Sequence, residues 1–263
     1  MPTLLAIIAL GLSLGIRHAT DPDHVVAVTT IVSRERTIFH AAIIGALWGL
    51  GHTVTIFAVG STIILFRLTI PPAIGLTMEL SVGCMLILLG ILNLTGLLHA
   101  AMDWLGRRGF GMHSHVIAGR RILHAHVAAG NLDLEKTGSV LNRAARSYKN
   151  LGAFHVLRPM AVGVVHGLAG SAAVALLVLT TVSRPAWAIA YLLVFGIGTV
   201  VGMIFITMAI ALPFTFTLGH FARLNQGLAI ASGAISLSFG LFLCYHIGFV
   251  DGLFTSHPNW NPH

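Results

Sequence analysis

The chain has 263 residues, 56% hydrophobic and 9% charged, and its 15 Lys and Arg against 8 Asp and Glu give a formal charge of +7. A soluble domain carries about 25% charged residues, so this composition excludes a water-solvated globular surface. The basic excess lies in the connections between apolar runs, where it acts as a topology determinant rather than a nucleic-acid footprint.

The first predicted span, about 3–33, is apolar except at its centre, where His18-Ala19-Thr20-Asp21-Pro22-Asp23-His24 packs two histidines, two aspartates and a proline into seven residues. No Lys or Arg precedes the apolar run and no small-residue cleavage site follows it before Arg17, so a retained helix is expected rather than a signal peptide. Ionisable groups at mid-bilayer cost roughly 2.5–3.5 kcal/mol each on insertion scales and mark ion or substrate paths. Imidazole suits Ni, Co, Zn and Cu, and carboxylates add charge and oxygen donors. On a continuous helix His18, Asp21 and His24 would share one face while Asp23 pointed away. Pro22 breaks that continuity, because it lacks an N–H and clashes with the carbonyl of His18. Asp21-Pro22 also suits a helix restart, with Asp at the N-cap and Pro at N1. A discontinuous first helix broken at Asp21-Pro22 is therefore expected, with unwound backbone offering further oxygens. His18 and His24 are the firm ligands. One aspartate is the ligand and the other a cap or counter-charge, in either order, and Arg17 is a further partner for one of them.

The second span, 38–66, carries Gly49-Leu50-Gly51-His52-Thr53, with His52 among small residues that permit close helix approach. A connection with Pro71-Pro72 leads to the third span, 78–98, where Glu79 is expected at the interface and Asn93 as an interhelical hydrogen bonder. The segment 99–155 is a basic loop bearing His113-Ser114-His115 and His124-Ala125-His126, with His99 and His155 at its edges. Such pairs suit weak metal capture or are incidental to a solvated loop, and 130–150 is expected to order only in part. Spans four to six are expected over 156–183, 186–212 and 225–247, and the fourth carries His166-Gly167-Leu168-Ala169-Gly170-Ser171. His40, His220 and His246 fall near span ends. Cys84 and Cys244 each stand alone in an apolar run, as packing residues.

These elements predict an all-α polytopic membrane protein of about six transmembrane helices. Residues 1–98 form a first three-helix membrane repeat, 99–155 a cytoplasmic loop, 156–250 a second three-helix repeat and 251–263 a short outward tail. Twelve Lys and Arg fall on the side of the long loop and two, Arg67 and Arg184, on the other, which places both termini outward and the loop in the cytoplasm. The halves match. Trp48-Gly49-Leu50-Gly51 aligns with Phe195-Gly196-Ile197-Gly198 at an offset of 147, His18 with His166 at 148, and Gly83 and Gly90 with Gly233 and Gly240 at 150. A three-span repeat emerges on the opposite face, so the halves are inverted, a design that puts transporter sites at the midplane between repeats.

The stretch Arg17-His18-Ala19-Thr20-Asp21-Pro22-Asp23-His24 resembles the membrane-helix motif of the nickel/cobalt transporter family, and Leu50-Gly51-His52-Thr53 resembles its next-helix motif. With Asp-Pro-Asp and His166-Gly167-Leu168-Ala169-Gly170-Ser171, the chain looks closest to the urease-accessory-like membrane branch. The resemblance is strong over 15–66 and moderate over 160–212. It implies that His18, Asp23 and His24 bind the metal, that His52 contributes to transport, and that the chain takes up metal with high affinity across the inner membrane of a prokaryote. The family's larger members carry acidic residues in the second-half helices and additional spans, where this chain has Gly163–Val174 and Gly196–Met203 without acid.

The expected function is secondary transport of Ni²⁺ or Co²⁺, by uptake or alternatively efflux, with His18, Asp21, Asp23, His24, His52 and His166 as the metal set. No cofactor is expected, the ion being substrate. The expected partners are the divalent ion and the lipid bilayer, with no nucleic acid, and with room for a homo-oligomer and a cytosolic metallochaperone. A membrane thiol–disulfide conduit needs a cysteine pair near proline, and an intramembrane metalloenzyme needs a motif such as HExxH, which is absent.

Overall fold

A computed structural model of the chain describes residues 4–33, 35, 37–68, 70–95, 112–117, 120–125, 153–181, 185–255 and 258–260. It separates into two units, residues 1–94 with 158–263 and residues 95–157. The first unit is all-helical among its described residues.

The first apolar segment is two helices, α1 (Leu4–His18) and α2 (Pro22–Val32), divided by Ala19–Asp21. The end of α1 tightens into a 3₁₀-like turn: Thr20 N–H donates to Arg17 C=O at 2.8 Å and Asp21 N–H to His18 C=O at 3.1 Å. Pro22, at the start of α2, has no N–H to give that carbonyl, so the chain restarts. Asp21 holds the N-cap position in extended conformation, but its side chain makes no cap bond.

Helix α3 (Ile38–Phe66) starts at Thr37, whose hydroxyl accepts the His40 N–H at 3.2 Å. It ends at Arg67, a non-glycine residue in the left-handed region with φ 49°. Helix α4 (Pro72–Thr95) begins six residues before the predicted third span, because proline fits the first turn where no N–H is needed. Helix α5 (Ala153–Thr181) is followed by α6 (Pro185–His220) and α7 (Ala222–Tyr245), which runs on into a π-helical turn, His246–Val250. Among the described residues four helical stretches are long and apolar enough to cross a membrane: Ile38–Phe66, Pro72–Thr95, Pro185–Thr217 and Arg223–Val250. Exposed Phe66, Phe205, Phe216, Phe242 and Val250 give the unit the apolar exterior that a bilayer solvates.

Helix α6 packs on α1, α2, α3 and α7. Where backbones approach most closely the sequence supplies glycine. A Cβ at Gly163 of α5 would strike the Trp48 carbonyl of α3, and one at Gly167 would lie 2.6 Å from the His52 carbonyl. On α4 and α7, Asn93 Nδ2 donates to Ala229 C=O at 2.9 Å and to Ser232 Oγ at 3.1 Å, the interhelical role expected of it. Cys84 and Cys244 are not isolated as the sequence suggested. Their thiols are neighbours across α4 and α7, where Gly83 lets the helices meet. The tail folds back on α4, and Trp260 covers Gly75 and donates Nε1–H to Glu79 Oε1 at 2.8 Å.

In the second unit the described residues include an antiparallel hairpin, β1 (Met112–Ile117) with β2 (Arg120–Ala125), that pairs His113 with His124 in register. A loop was expected there. The expectations for His99, His126 and the partly ordered 130–150 stretch lie outside the described residues.

Candidate metal site

All six residues singled out from sequence meet around the α1–α2 break. His18 ends α1, Asp21 lies in the break, Asp23 and His24 form the first turn of α2, His52 comes from the middle of α3 and His166 from α5. The meeting follows from the glycine contacts, because Gly163 and Gly167 let α5 lie against the α3 backbone at Trp48 and His52, with His166 between them.

Two hydrogen-bonded groups result. In the first, His18 Nε2 lies 3.0 Å from His52 Nε2, and His18 Nδ1 is held by Asp21 Oδ2 at 2.7 Å. In the second, Asp23 Oδ1 takes both the His24 backbone N–H at 2.9 Å and His24 Nδ1 at 3.0 Å, while Asp23 Oδ2 faces His166 Nε2 at 3.1 Å. Ring centroids join the groups, His24 lying 4.8 Å from His18, 5.1 Å from His52 and 4.4 Å from His166. His24, His52 and His166 are buried, whereas the side chains of Asp21 and Asp23 are 45% and 29% exposed. The carboxylates thus form the exposed edge of the cluster.

Both aspartates contact histidine rings, Asp21 that of His18 and Asp23 those of His24 and His166. A carboxylate hydrogen-bonded to an imidazole fixes its tautomer and orientation. Arg17 is exposed and, among the described residues, makes no ion pair with either aspartate.

Ligand atoms of His18, His24 and His52 lie within 4.8 Å of one another, as do those of Asp23, His24 and His166. His24 Nε2, His52 Nδ1 and His166 Nδ1 are buried without a hydrogen-bond partner. An orphaned polar atom in a dry interior costs about 1–3 kcal/mol, which a bound ion at His24 Nε2 would offset.

The aromatic walls were not anticipated. Trp48 is fully buried, stacks on His24 at 5.8 Å with an 8° interplanar angle, and sits 5.4 Å from His166. Phe195 of α6 sits 5.4 Å from His18. The available signal was the alignment of Trp48 with Phe195 between the two halves. Outside this cluster, His246 pairs with Asp251 at 3.0 Å.

The chain is 34% identical over 251 residues to the urease accessory protein UreH of Bacillus sp. (strain TB-90), a match that covers 95% of this chain and 96% of that protein. No protein-family model and no solved structure matches it.

Proposed function

Because this chain belongs to the nickel/cobalt-transporter-like membrane protein family of urease accessory protein UreH, we propose that it is a secondary transporter of Ni²⁺ or Co²⁺. Uptake is the proposed direction, through the buried site of His18, His24 and His52. The observation that carries the proposal is the convergence of these three imidazoles from α1, α2 and α3 beside a helix break. Imidazole nitrogens suit late first-row divalent ions and discriminate against Mg²⁺ and Ca²⁺, which prefer oxygen. Asp21 and Asp23 orient His18 and His24 from behind and offset the charge of the incoming ion.

In this proposal α1 and α2 cross the bilayer as one broken span and α5 supplies a further one, which brings the count to six in two inverted halves. Equivalent contacts support the two-fold relation. The pair Gly15 and Phe195 corresponds to Gly163 and Trp48, Gly49 and Val200 to Thr53 and Gly196, and Leu12 and Gly198 to Met160 and Gly51. Leu86 and Ser236, 150 residues apart, bond to each other at 2.8 Å, as residues on a two-fold axis would. Such a fold moves substrate by rocking one half against the other around a midplane site. Both termini face outward and the 99–155 segment lies in the cytoplasm of a prokaryotic cell, by the twelve-to-two distribution of basic residues.

The adjoining thiols of Cys84 and Cys244 favour one competing function, a thiol–disulfide conduit. A single set of accumulation assays separates the two. Cells expressing the chain should accumulate more nickel or cobalt than cells without it, and the Cys84→Ala/Cys244→Ala variant should match the wild type. Asp23→Ala should fall to background while reaching the membrane normally. Lower accumulation with the chain present would reverse the direction to efflux. Loss of transport in the double-cysteine variant alone would favour the conduit.

A further inference from the structure

His24 belongs to two ligand sets, and we propose that they are successive stations for one ion: His18, His24 and His52 first, then Asp23, His24 and His166. This rests on the transport function proposed above and extends it to a route. Two donors on one first-row divalent ion, each at about 2.0–2.1 Å, lie about 2.8–3.4 Å apart. The His18 and His52 nitrogens are 3.0 Å apart, Asp23 Oδ1 and His24 Nδ1 are 3.0 Å apart, and Asp23 Oδ2 and His166 Nε2 are 3.1 Å apart. Each pair separation suits a shared ion, and the third donor of each set, within 4.8 Å of the other two, closes in on it.

The nitrogens of His24 make the stations alternate. Nδ1 is turned to Asp23, and Nε2 is buried with no hydrogen-bond partner. A neutral imidazole offers one acceptor nitrogen at a time. With the ion at the first station, Nε2 is the ligand and Nδ1–H donates to Asp23. With the ion at the second, Nδ1 is the ligand and the ring's one proton has moved from Nδ1 to Nε2, carried by water that enters the position the ion has left. The ring therefore cannot hold both stations at once, and an ion released from one is passed to the other.

Charge gives the two stations different characters. The first offers three neutral nitrogens. The second replaces one with a carboxylate oxygen, which neutralises part of the ion's charge and is 29% exposed on its side chain. His166 also occupies in α5 the place that His18 occupies in α1, 148 residues earlier, each beside an aromatic ring at 5.4 Å. The ion would pass from the histidine of one half to its counterpart in the other.

The test uses the full chain in lipid nanodiscs and proteoliposomes with Co²⁺ as the probe. His166→Ala should still bind Co²⁺ through three imidazole nitrogens by X-ray absorption, while Co²⁺ uptake falls about tenfold or more. His52→Ala should still bind Co²⁺, now with a carboxylate oxygen among its ligands. His166→Gln keeps a hydrogen bond to Asp23 without the imidazole, and its uptake should stay low. Uptake restored by His166→Gln would reduce His166 to a positioning residue for Asp23 and overturn the second station. So would His166→Ala losing affinity and uptake by the same factor, which describes a single site. If His24→Ala binds and transports Co²⁺ like the wild type, the metal site itself is misplaced, a failure distinct from that of the second station.

Discussion

His24→Ala should reduce Ni²⁺ or Co²⁺ uptake to the level of membranes lacking the chain, a loss of about 100-fold or more. No other residue in the cluster belongs to both ligand sets. Without it His18 and His52 retain two nitrogens, too few to strip a strongly hydrated divalent ion, and Asp23 and His166 retain one oxygen and one nitrogen. The ring is also a packing element, buried and stacked on Trp48 at 5.8 Å. His24→Gln, which keeps more of the volume, separates coordination from packing. Uptake should be lost in both variants, whereas a packing defect alone would spare the glutamine. Radiometal uptake normalised to the amount of chain in the membrane is the measurement, and wild-type uptake in both variants would move the site away from the helix break.

Gly163→Val should have the largest effect on the fold. A Cβ at Gly163 would strike the Trp48 carbonyl, lie 2.8 Å from Trp48 Cδ1 and lie 2.9 Å from the His52 amide nitrogen. Two of those obstacles are helix backbone, which cannot rotate away. Inserting bulk into a packed interface typically costs about 1–3 kcal/mol, and more where nothing yields. Helix α5 would have to retreat from α3 and take His166 away from Asp23. The expected result is a sharp drop in folded yield and thermal midpoint in detergent, with uptake lost in the protein that remains. A variant with wild-type midpoint and uptake would show that α5 does not lie on α3 as described.

The helix break was legible because its cause is local. Pro22 removes a donor wherever it stands, and Asp21 before it marks a restart. The convergence of His52 and His166 on that break was legible only through their neighbours, since Gly51 and Gly167 announce close helix contacts without naming the partner. The contacts of the aspartates were not legible. Adjacent Asp23 and His24 point apart on a regular helix, and only at its first turn does the Asp23 carboxylate fold back onto the backbone N–H and the ring of His24. Trp48 escaped notice because an aromatic in an apolar run reads equally as core, lipid contact or wall of a site. The cysteine contact depends on the register of α4 against α7, fixed by glycines 83 and 240, and no property of either cysteine reveals it. The early start of α4 followed from reading Pro71-Pro72 as loop when Pro72 is a first-turn residue.

The stack of Trp48 on His24 also makes the protein its own optical probe. The chain has four tryptophans, and Trp48 is buried against the cluster. An open-shell ion such as Ni²⁺ or Co²⁺ held at His24 would lie against the indole and quench its emission, while closed-shell Zn²⁺ at the same ligands would leave most of it. The quenched fraction should disappear in Trp48→Phe and persist in Trp187→Phe. Loading and release could then be followed in real time on unlabelled protein, with the wall of the site as the lamp.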